Sequence, residues 1–275
     1  MTKGTLLVIV ATLIFGFMGI AAKYIQASPV ILLYSMQISG LIVILIILLK
    51  TRQFSPKNYV KLIIVMSFFG LLTDFFFFSA VKLTSVPNSV FVRYTAPIFI
   101  LILMPFIIKE KIERKSIYAI PIALVGLFII LYQGNLTFDT NMTGMIFALL
   151  SAVTNASALV LVKKIMLKLN VYTMMFYRFL INTIILTPFI LIGSSINTET
   201  LPLLALFGIV FAGIGITLHF EGISRIKIQR AGVLSYIDPL SATFYSILLF
   251  SEIPSIFTII GGLLILLSSY LAIKN

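Results

Sequence analysis

Six ionisable side chains stand within long apolar runs of the sequence, and these are Asp74, Arg93, Arg178, His219, Glu221 and Asp238. An ionised side chain costs roughly 2.5–3.5 kcal/mol at the centre of a bilayer, so each of these groups needs a charged partner, a ligand or water. Carboxylates and guanidiniums in such a place can pair with each other or bind charged groups of a solute, and a histidine can carry a proton. We therefore take the six as candidate site residues.

The elements that position these groups follow from the composition. The chain has 275 residues, is 60% hydrophobic and 10% charged, and has a mean hydropathy of +1.17. A soluble domain is about half apolar and about a quarter charged, whereas a membrane-spanning helix needs about 20 apolar residues. The sequence predicts an all-α polytopic membrane protein with ten spans, at residues 5–24, 29–49, 60–82, 86–108, 116–133, 143–165, 171–192, 201–223, 230–250 and 254–273.

The basic residues predict the topology. Of the 20 lysines and arginines, 16 fall in segments on one side of the predicted bilayer, two (Lys23 and Lys82) fall on the other, and two lie within spans. Because positively charged loops remain in the cytoplasm, we expect both termini there and a multi-pass protein of the cell membrane. This distribution accounts for the net charge of +12 without a nucleic-acid partner.

Depth in the bilayer predicts two ion pairs. At a rise of about 1.5 Å per residue, Asp74 and Arg93 both lie roughly 10 Å below the outer face, and Arg178 and Asp238 lie roughly 10–12 Å above the inner face. We predict that Asp74 pairs with Arg93 and Arg178 with Asp238, either as static structural pairs or as pairs that open alternately. His219 and Glu221 lie nearer the cytoplasmic end and are candidates for proton coupling or gating, together with Glu110 and Glu252 at the ends of two other spans.

The two halves of the sequence repeat each other. A shift of 140 residues places Lys23 on Lys163, and a shift of 142 places Tyr94, Pro97 and Glu110 on Tyr236, Pro239 and Glu252. Five spans per repeat would invert the second copy, which is the architecture of secondary transporters. We expect one repeat in residues 1–137 and an inverted one in 138–275, with helix bends at the two prolines and the two tyrosines lining the cavity.

The charged candidates are not repeated. The same shift pairs Asp74 with Ile216, Arg93 with Ser235, Arg178 with Met36 and Asp238 with Ala96. We expect the shared residues to build the scaffold and the unshared charges to determine selectivity.

These features resemble the EamA-type family of the drug/metabolite transporter superfamily. The resemblance rests on the ten spans, the five-plus-five repeat, the segments Tyr94-Thr-Ala-Pro97 and Tyr236-Ile-Asp-Pro239, and Lys-Glu-Lys at 109–111 with Ser-Glu-Ile at 251–253. It implies two inverted bundles around a central cavity, with substrate contacted by the first four helices of each half and the fifth helices at the edge or at a dimer interface. An arginine that the family carries early in the second helix of a half fits Arg178, whereas the first half has Met36 and Gln37 there.

Several function classes are disfavoured. The chain has no cysteine, one histidine and eight scattered acidic residues, so we expect no enzyme, no metal site and no cofactor. A phosphate-binding loop of the Walker type is absent, which excludes ATP-driven pumping within this chain.

The leading prediction is a secondary transporter, or a facilitator, for a small polar metabolite such as an amino acid or a related zwitterion. Its partners would be that solute and the bilayer, and the protein would be a monomer or a homodimer. One alternative is an exporter of organic cations or quaternary amines, with Phe75–Phe78 as an aromatic wall beside Asp74. Four consecutive positions face all sides of a helix, however, so we interpret most of this run as lipid-facing. An ion channel is the alternative from another class.

Overall fold

The computed structural model describes residues 3–51, 59–107, 114–132, 140–166, 169–193, 198–223, 225–226, 234–235 and 237–273. These residues form helices joined by short turns. The helices are α1 (Lys3–Tyr24), α2 (Pro29–Thr51), α3 (Val60–Leu83), α4 (Val86–Arg93), α5 (Ala96–Ile107), α6 (Arg114–Tyr132), α7 (Thr140–Met166), α8 (Val171–Gly193), α9 (Leu201–Phe207), α10 (Thr217–Ile223), α11 (Ile237–Phe250) and α12 (Ile256–Ile273), and a π-helix (Gly208–Ile216) joins α9 to α10.

Seven segments of the described chain are apolar and long enough to cross a bilayer. They are Lys3–Tyr24, Pro29–Leu49, Val60–Leu83, Val86–Ile107, Thr140–Met166, Val171–Ile192 and Thr198–Ile223. The other three predicted spans correspond to the shorter apolar helices Ile120–Tyr132, Ile237–Phe250 and Ile256–Ser268. The chain is therefore an all-helical, multi-pass membrane protein.

Polarity is arranged as a bilayer requires. Large apolar side chains such as Phe106, Leu191 and Ile192 are at least 80% exposed, because lipid solvates them. Hydroxyl groups are buried between helices, and Thr73 and Thr154 donate to backbone carbonyls one turn earlier in their own helices, at 2.8 Å each. Such bonds satisfy a hydroxyl that has no water.

The predicted fourth span is divided into two helices. Its first part, α4, begins after Ser85, whose hydroxyl accepts a hydrogen bond from the Asn88 N–H at 3.3 Å. It ends at Arg93, and α5 begins at Ala96, directly before Pro97. A proline has no N–H and disfavours helical geometry in the residue before it, so an interruption at this point is expected. Pro239 lies in the first turn of α11.

The helices of the two halves of the chain interlock. Helix α1 packs against α10, the π-helix and α11, while α7 packs against α3, α4 and α5. Helix α2 packs against α8, and α6 against α12. The last pair is held close by glycines, since a Cβ on Gly126 would lie 2.6 Å from the Gly261 carbonyl oxygen. Helices from both halves of the chain thereby enclose a common central space.

Candidate functional site

A polar cavity of about 160 Å³ lies at the centre of the bundle, bordered by α1, α2, α3, α4, α7, α8, α10 and α11 and by the last residue of the π-helix. It is lined by Phe15, Met18, Met36, Gly70, Thr73, Asp74, Arg93, Asn155, Ala158, Leu159, Val162, Arg178, Ile216, Phe220 and Asp238. Four of the six predicted intramembrane charges therefore share one cavity. The sequence placed them in two pairs at different depths.

Asp74 pairs with Arg178, and the predicted pairing is wrong. The Nη2 atom of Arg178 lies 3.5 Å from Oδ2 of Asp74. The guanidinium passes over Gly70, one helical turn from Asp74, where a Cβ would lie 3.2 Å from Nη2. Counting residues along a helix predicts the depth of a Cα atom only. The long side chain of Arg178 passes through the space beside Gly70 and so reaches Asp74, which is predicted to lie at another depth.

Arg93 contacts an aromatic ring and lacks the predicted bond to Asp74. Its guanidinium carbon lies 4.4 Å from the centroid of the Phe77 ring, within the range of a cation–π interaction. Among the described residues it has no hydrogen bond or ion pair, although it interacts electrostatically with both Asp74 and Asp238. Its donors remain open toward the cavity that it lines.

Asp238 accepts a hydrogen bond from Tyr94, and not a salt bridge from Arg178 as predicted. The Tyr94 hydroxyl lies 3.1 Å from Oδ2 of Asp238 and 2.5 Å from the carbonyl oxygen of Ser235. Asp238 stands in the first turn of α11, where the helix dipole favours a negative charge. Tyr236, the repeat counterpart of Tyr94, lies outside the described residues.

Neutral amides also lie inside the bundle, and the sequence analysis did not single out Asn155 or Asn182. Asn155 of α7 lines the cavity. Next to Met36, the amide of Gln37 accepts a hydrogen bond from Asn182 at 3.3 Å, with both side chains at most 1% exposed. A polar amide in the middle of an apolar span is the signal that could have identified them, since burying an amide without a partner is costly.

Two of the four side chains of Phe75–Phe78 are buried and do not face lipid. Phe77 and Phe78 are 2% and 0% exposed, and Phe78 packs edge-on against Phe207 with ring centroids 5.7 Å apart. Phe77 carries the Arg93 guanidinium on its face. Phe77 and Phe78 therefore belong to the packed interior, whereas Phe75 and Phe76 are only partly buried, and the Phe77 ring is already occupied by a cation.

Glu252 lies away from the cavity, in the turn between α11 and α12. It forms a salt bridge with Lys23, and its Oε2 accepts hydrogen bonds from the Val86 N–H at 2.9 Å and the Ser246 hydroxyl at 2.7 Å. Burial alone would raise the pKa of Glu252, but the hydrogen bonds from Lys23, Ser246 and Val86 outweigh it and lower that pKa below its usual range. Its repeat counterpart, Glu110, lies outside the described residues.

His219 and Glu221 do not line the cavity. The imidazole of His219 packs edge-on against Phe15, with ring centroids 5.4 Å apart, and its Nδ1 is buried without a hydrogen-bond partner among the described residues. Glu221 accepts hydrogen bonds from Tyr172 and Arg225. A role of either residue in proton coupling or gating stays a prediction.

A second, larger cavity of about 400 Å³ lies between α1, α9, the π-helix and α11. Its lining is apolar except for the hydroxyl of Tyr24. It offers no charge that could orient a polar ligand, so the smaller cavity is the candidate site.

Comparison with known proteins determines the family. The model of the EamA-like transporter family matches residues 2–132 and again residues 142–274. The chain belongs to the EamA-like transporter family. It is thus a membrane-embedded member of a transporter family whose members move small molecules.

Several transporters are similar to this EamA-like protein. An uncharacterized transporter of Archaeoglobus fulgidus is 29% identical over 72% of this chain and 71% of its own. A pseudopaline exporter of Pseudomonas aeruginosa is 21% identical over 97% of this chain and 94% of its own. A solved crystal structure aligns over 98% of this chain and 96% of its own with a TM-score of 0.66 at 21% identity, which shows the same fold.

Proposed function

We propose that this EamA-like protein is a secondary transporter, or a facilitator, that moves a small zwitterionic metabolite such as an amino acid across the cell membrane. The observation that carries the proposal is a buried cavity in which two aspartates and two arginines balance each other. The volume of about 160 Å³ is well below the roughly 300–1,000 Å³ of sites for drug-sized ligands. A small solute with no net charge fits both its size and its electrostatics.

The distribution of contacts within the cavity supports a zwitterion in particular. The guanidinium of Arg93 has no described hydrogen-bond partner, so its fork of donors is available to a carboxylate. Asp238, held by Tyr94 at 3.1 Å, is available to an ammonium group. The contact between Asp74 and Arg178 is long, at 3.5 Å, and the buried Nε of Arg178 has no described partner. This pair can therefore exchange its contacts for those of a ligand at little cost.

We propose that transport proceeds by alternating access between two inverted repeats, residues 1–137 and 138–275. Support comes from the family model, which matches the chain twice, and from helix contacts that are exchanged between the halves. The 16 basic residues on one predicted side against two on the other support ten spans with both termini in the cytoplasm. In that orientation Glu252 faces outward. The relative named as an exporter favours outward transport.

The contact between Arg93 and Phe77 weakens the alternative function, export of organic cations. Arg93 already occupies the face of Phe77, so a ligand cation at that ring would meet a like charge. A cavity that also contains Arg178 adds a second positive charge to the same space.

A thermal-shift screen of the purified protein tests the proposal. Amino acids, quaternary amines, nucleosides and sugar phosphates would be compared. A ligand at a hundredfold excess over its Kd stabilises the folded state by about 2.7 kcal/mol. We expect zwitterionic amino acids to raise the melting temperature of the wild type, and Arg93→Gln and Asp238→Asn to abolish this shift.

Lys61→Gln is the matched control, because Lys61 is an exposed basic residue in the first turn of α3, away from the cavity. It should retain the ligand-induced shift in full. Stabilisation by quaternary amines alone, or an undiminished amino-acid shift in Arg93→Gln, would contradict the proposal.

A further inference from the structure

The salt bridge between Glu252 and Lys23 joins three separate parts of the bundle at one end of the cavity. Lys23 lies in the last turn of α1, and Val86, whose N–H also binds Glu252 at 2.9 Å, is the first residue of α4. Lys23 additionally donates to the Thr84 carbonyl at 3.2 Å, in the link between α3 and α4. One carboxylate thus connects the end of α1, the link before α4 and the turn between α11 and α12.

The backbone around Glu252 is shaped to direct the carboxylate back into the bundle. Ser251 has a φ of 55°, the one positive φ of a non-glycine residue in the described part of the chain, and the Glu252 N–H bonds to the Ser246 carbonyl at 3.3 Å. A left-handed residue of this kind costs free energy and persists where surrounding contacts hold it. The contacts that hold it here are those of Glu252 itself.

A second set of hydrogen bonds closes the same end. Lys82, in the last turn of α3, donates to the Ile25 carbonyl at 3.1 Å, directly after α1. Near the start of α4, Asn88 accepts from the Thr258 hydroxyl of α12 at 2.7 Å. The helix ends that border the cavity are therefore tied together at this face of the membrane.

We infer that Glu252 and Lys23 form a latch that closes the cavity at this face. The inference rests on the proposed alternating access. It assigns a defined step, the release and formation of one ion pair, to residues outside the binding cavity.

Both members of the latch have counterparts in the sequence repeat. The shift of 140 residues places Lys23 on Lys163, and the shift of 142 residues places Glu110 on Glu252. The cavity charges have no such counterparts, as expected if the latch belongs to the shared scaffold and the cavity charges to selectivity.

Glu252 is fully engaged in the present structure, which corresponds to the state in which its own face is shut. Loss of the latch must then shift the population toward opening at that face, because the closed state alone contains its contacts.

Accessibility of a single cysteine measures this shift. The natural chain has no cysteine, so Ala158→Cys, which lines the cavity, provides one reporter. Reconstituted protein would be labelled with a membrane-impermeant maleimide from each face separately. We expect Glu252→Gln and Lys23→Met each to raise the labelling rate from the Glu252 face about tenfold, the effect of losing hydrogen bonds to a charged group, and to lower it from the other face.

Two controls separate the latch from a structural ion pair. The swap of Lys23→Glu with Glu252→Lys should restore wild-type labelling in part, since it rebuilds the ion pair but not the hydrogen bonds with the Val86 N–H and the Thr84 carbonyl. Glu199→Gln removes an exposed carboxylate just before α9, at the same end of the bundle, and should change nothing. A salt bridge that serves stability alone would lower the melting temperature without moving label from one face to the other.

Unchanged labelling from both faces in Glu252→Gln and Lys23→Met overturns the latch. Solute transport by the same vesicles distinguishes a failure of the latch from a failure of the proposed function. If transport persists with unchanged labelling, only the latch is wrong. If transport is absent and label enters from neither face, the proposed function fails and the latch fails with it.

Discussion

Arg178 reaches Asp74 although the two residues start at different depths in the bilayer. Gly70 leaves room for this contact, because a Cβ at that position would lie 3.2 Å from the Arg178 Nη2. Arg93, in turn, is stabilised by the Phe77 ring at 4.4 Å and needs no carboxylate. The length of the Arg178 side chain and the position of the Phe77 ring thus determine which of the four cavity charges form a pair.

A double-mutant cycle checks this reassigned pairing. Asp74→Asn and Arg178→Gln should show an interaction energy of about 0.5–3 kcal/mol in the free energy of unfolding in mixed micelles, as contacting residues do. Asp74→Asn and Arg93→Gln should show a smaller interaction energy, because these two residues interact electrostatically without a hydrogen bond or ion pair. A larger coupling of Asp74 with Arg93 than with Arg178 would restore the pairing that depth alone predicts.

The pH response of the latch follows from Glu252. Its pKa is lowered in the folded protein, so the stabilisation it provides is present above the ordinary pKa of a glutamate and is lost as the pH falls through the lowered value. Lys23 is the charged group that faces it. Labelling of Ala158→Cys from the Glu252 face would be measured at each pH as a ratio to labelling of the same reporter in Glu252→Gln, because ionisation of the reporter thiol changes both rates. This ratio should be constant between about pH 8 and about pH 6. A change in the ratio within that window would show that another group controls the closed mouth.

At the scale of elements, the contact between α6 and α12 depends on glycine. A Cβ on Gly126 would lie 2.6 Å from the Gly261 carbonyl oxygen, and one on Gly261 would lie 2.5 Å from that of Gly126. A side chain at either glycine would push the two helices apart, because backbone atoms cannot move aside as a flexible side chain can.

Gly126→Ala should consequently destabilise the protein by about 1–3 kcal/mol, the usual cost of overpacking. Leu124→Ala on the same helix is the control, because Leu124 is 52% exposed on the lipid-facing side. Unfolding in mixed micelles would compare the two variants. Equal stabilities of Gly126→Ala and the wild type would mean that the pair of helices adapts without loss.

Element positions were predictable from the sequence to a large extent, whereas contacts between elements were not. Apolar length alone located α1, α2, α3, α7 and α8, and Pro97 predicted a bend where the structure has a break between Arg93 and Ala96. The partners of Arg93, Arg178 and Asp238 depend on helix packing, which periodicity does not encode. Asn155 escaped notice because a neutral amide carries no charge signal, and Tyr236 and Glu110 lie outside the described residues.

At the scale of the whole molecule, the exchanged contacts of α1 and α7 make each half complete the cavity of the other. Neither half can change its tilt alone without moving the helices that carry Asp74, Arg93, Arg178 and Asp238. A rotation of one half against the other would therefore alter both mouths of the cavity and would move Asp74 and Arg93 relative to Arg178 and Asp238.

Topology at this scale is directly measurable. Reporter fusions that are active only in the cytoplasm should be active at both termini, because 16 basic residues lie on the predicted inner side against two outside. One active and one inactive terminus would require an odd number of spans and would remove the inversion on which alternating access depends.

Solute counterflow in proteoliposomes tests whether the protein transports a zwitterion through the charged cavity. The labelled solute is the amino acid that stabilises the purified protein. We expect saturable accumulation by the wild type and a loss of at least about tenfold in Arg93→Gln and Asp238→Asn, the effect of removing one charged hydrogen bond, with full activity in Lys61→Gln. A parallel series with and without a pH gradient separates proton coupling from facilitated diffusion. Accumulation that is equal in the wild type and both cavity variants, or absent in all, would contradict the account.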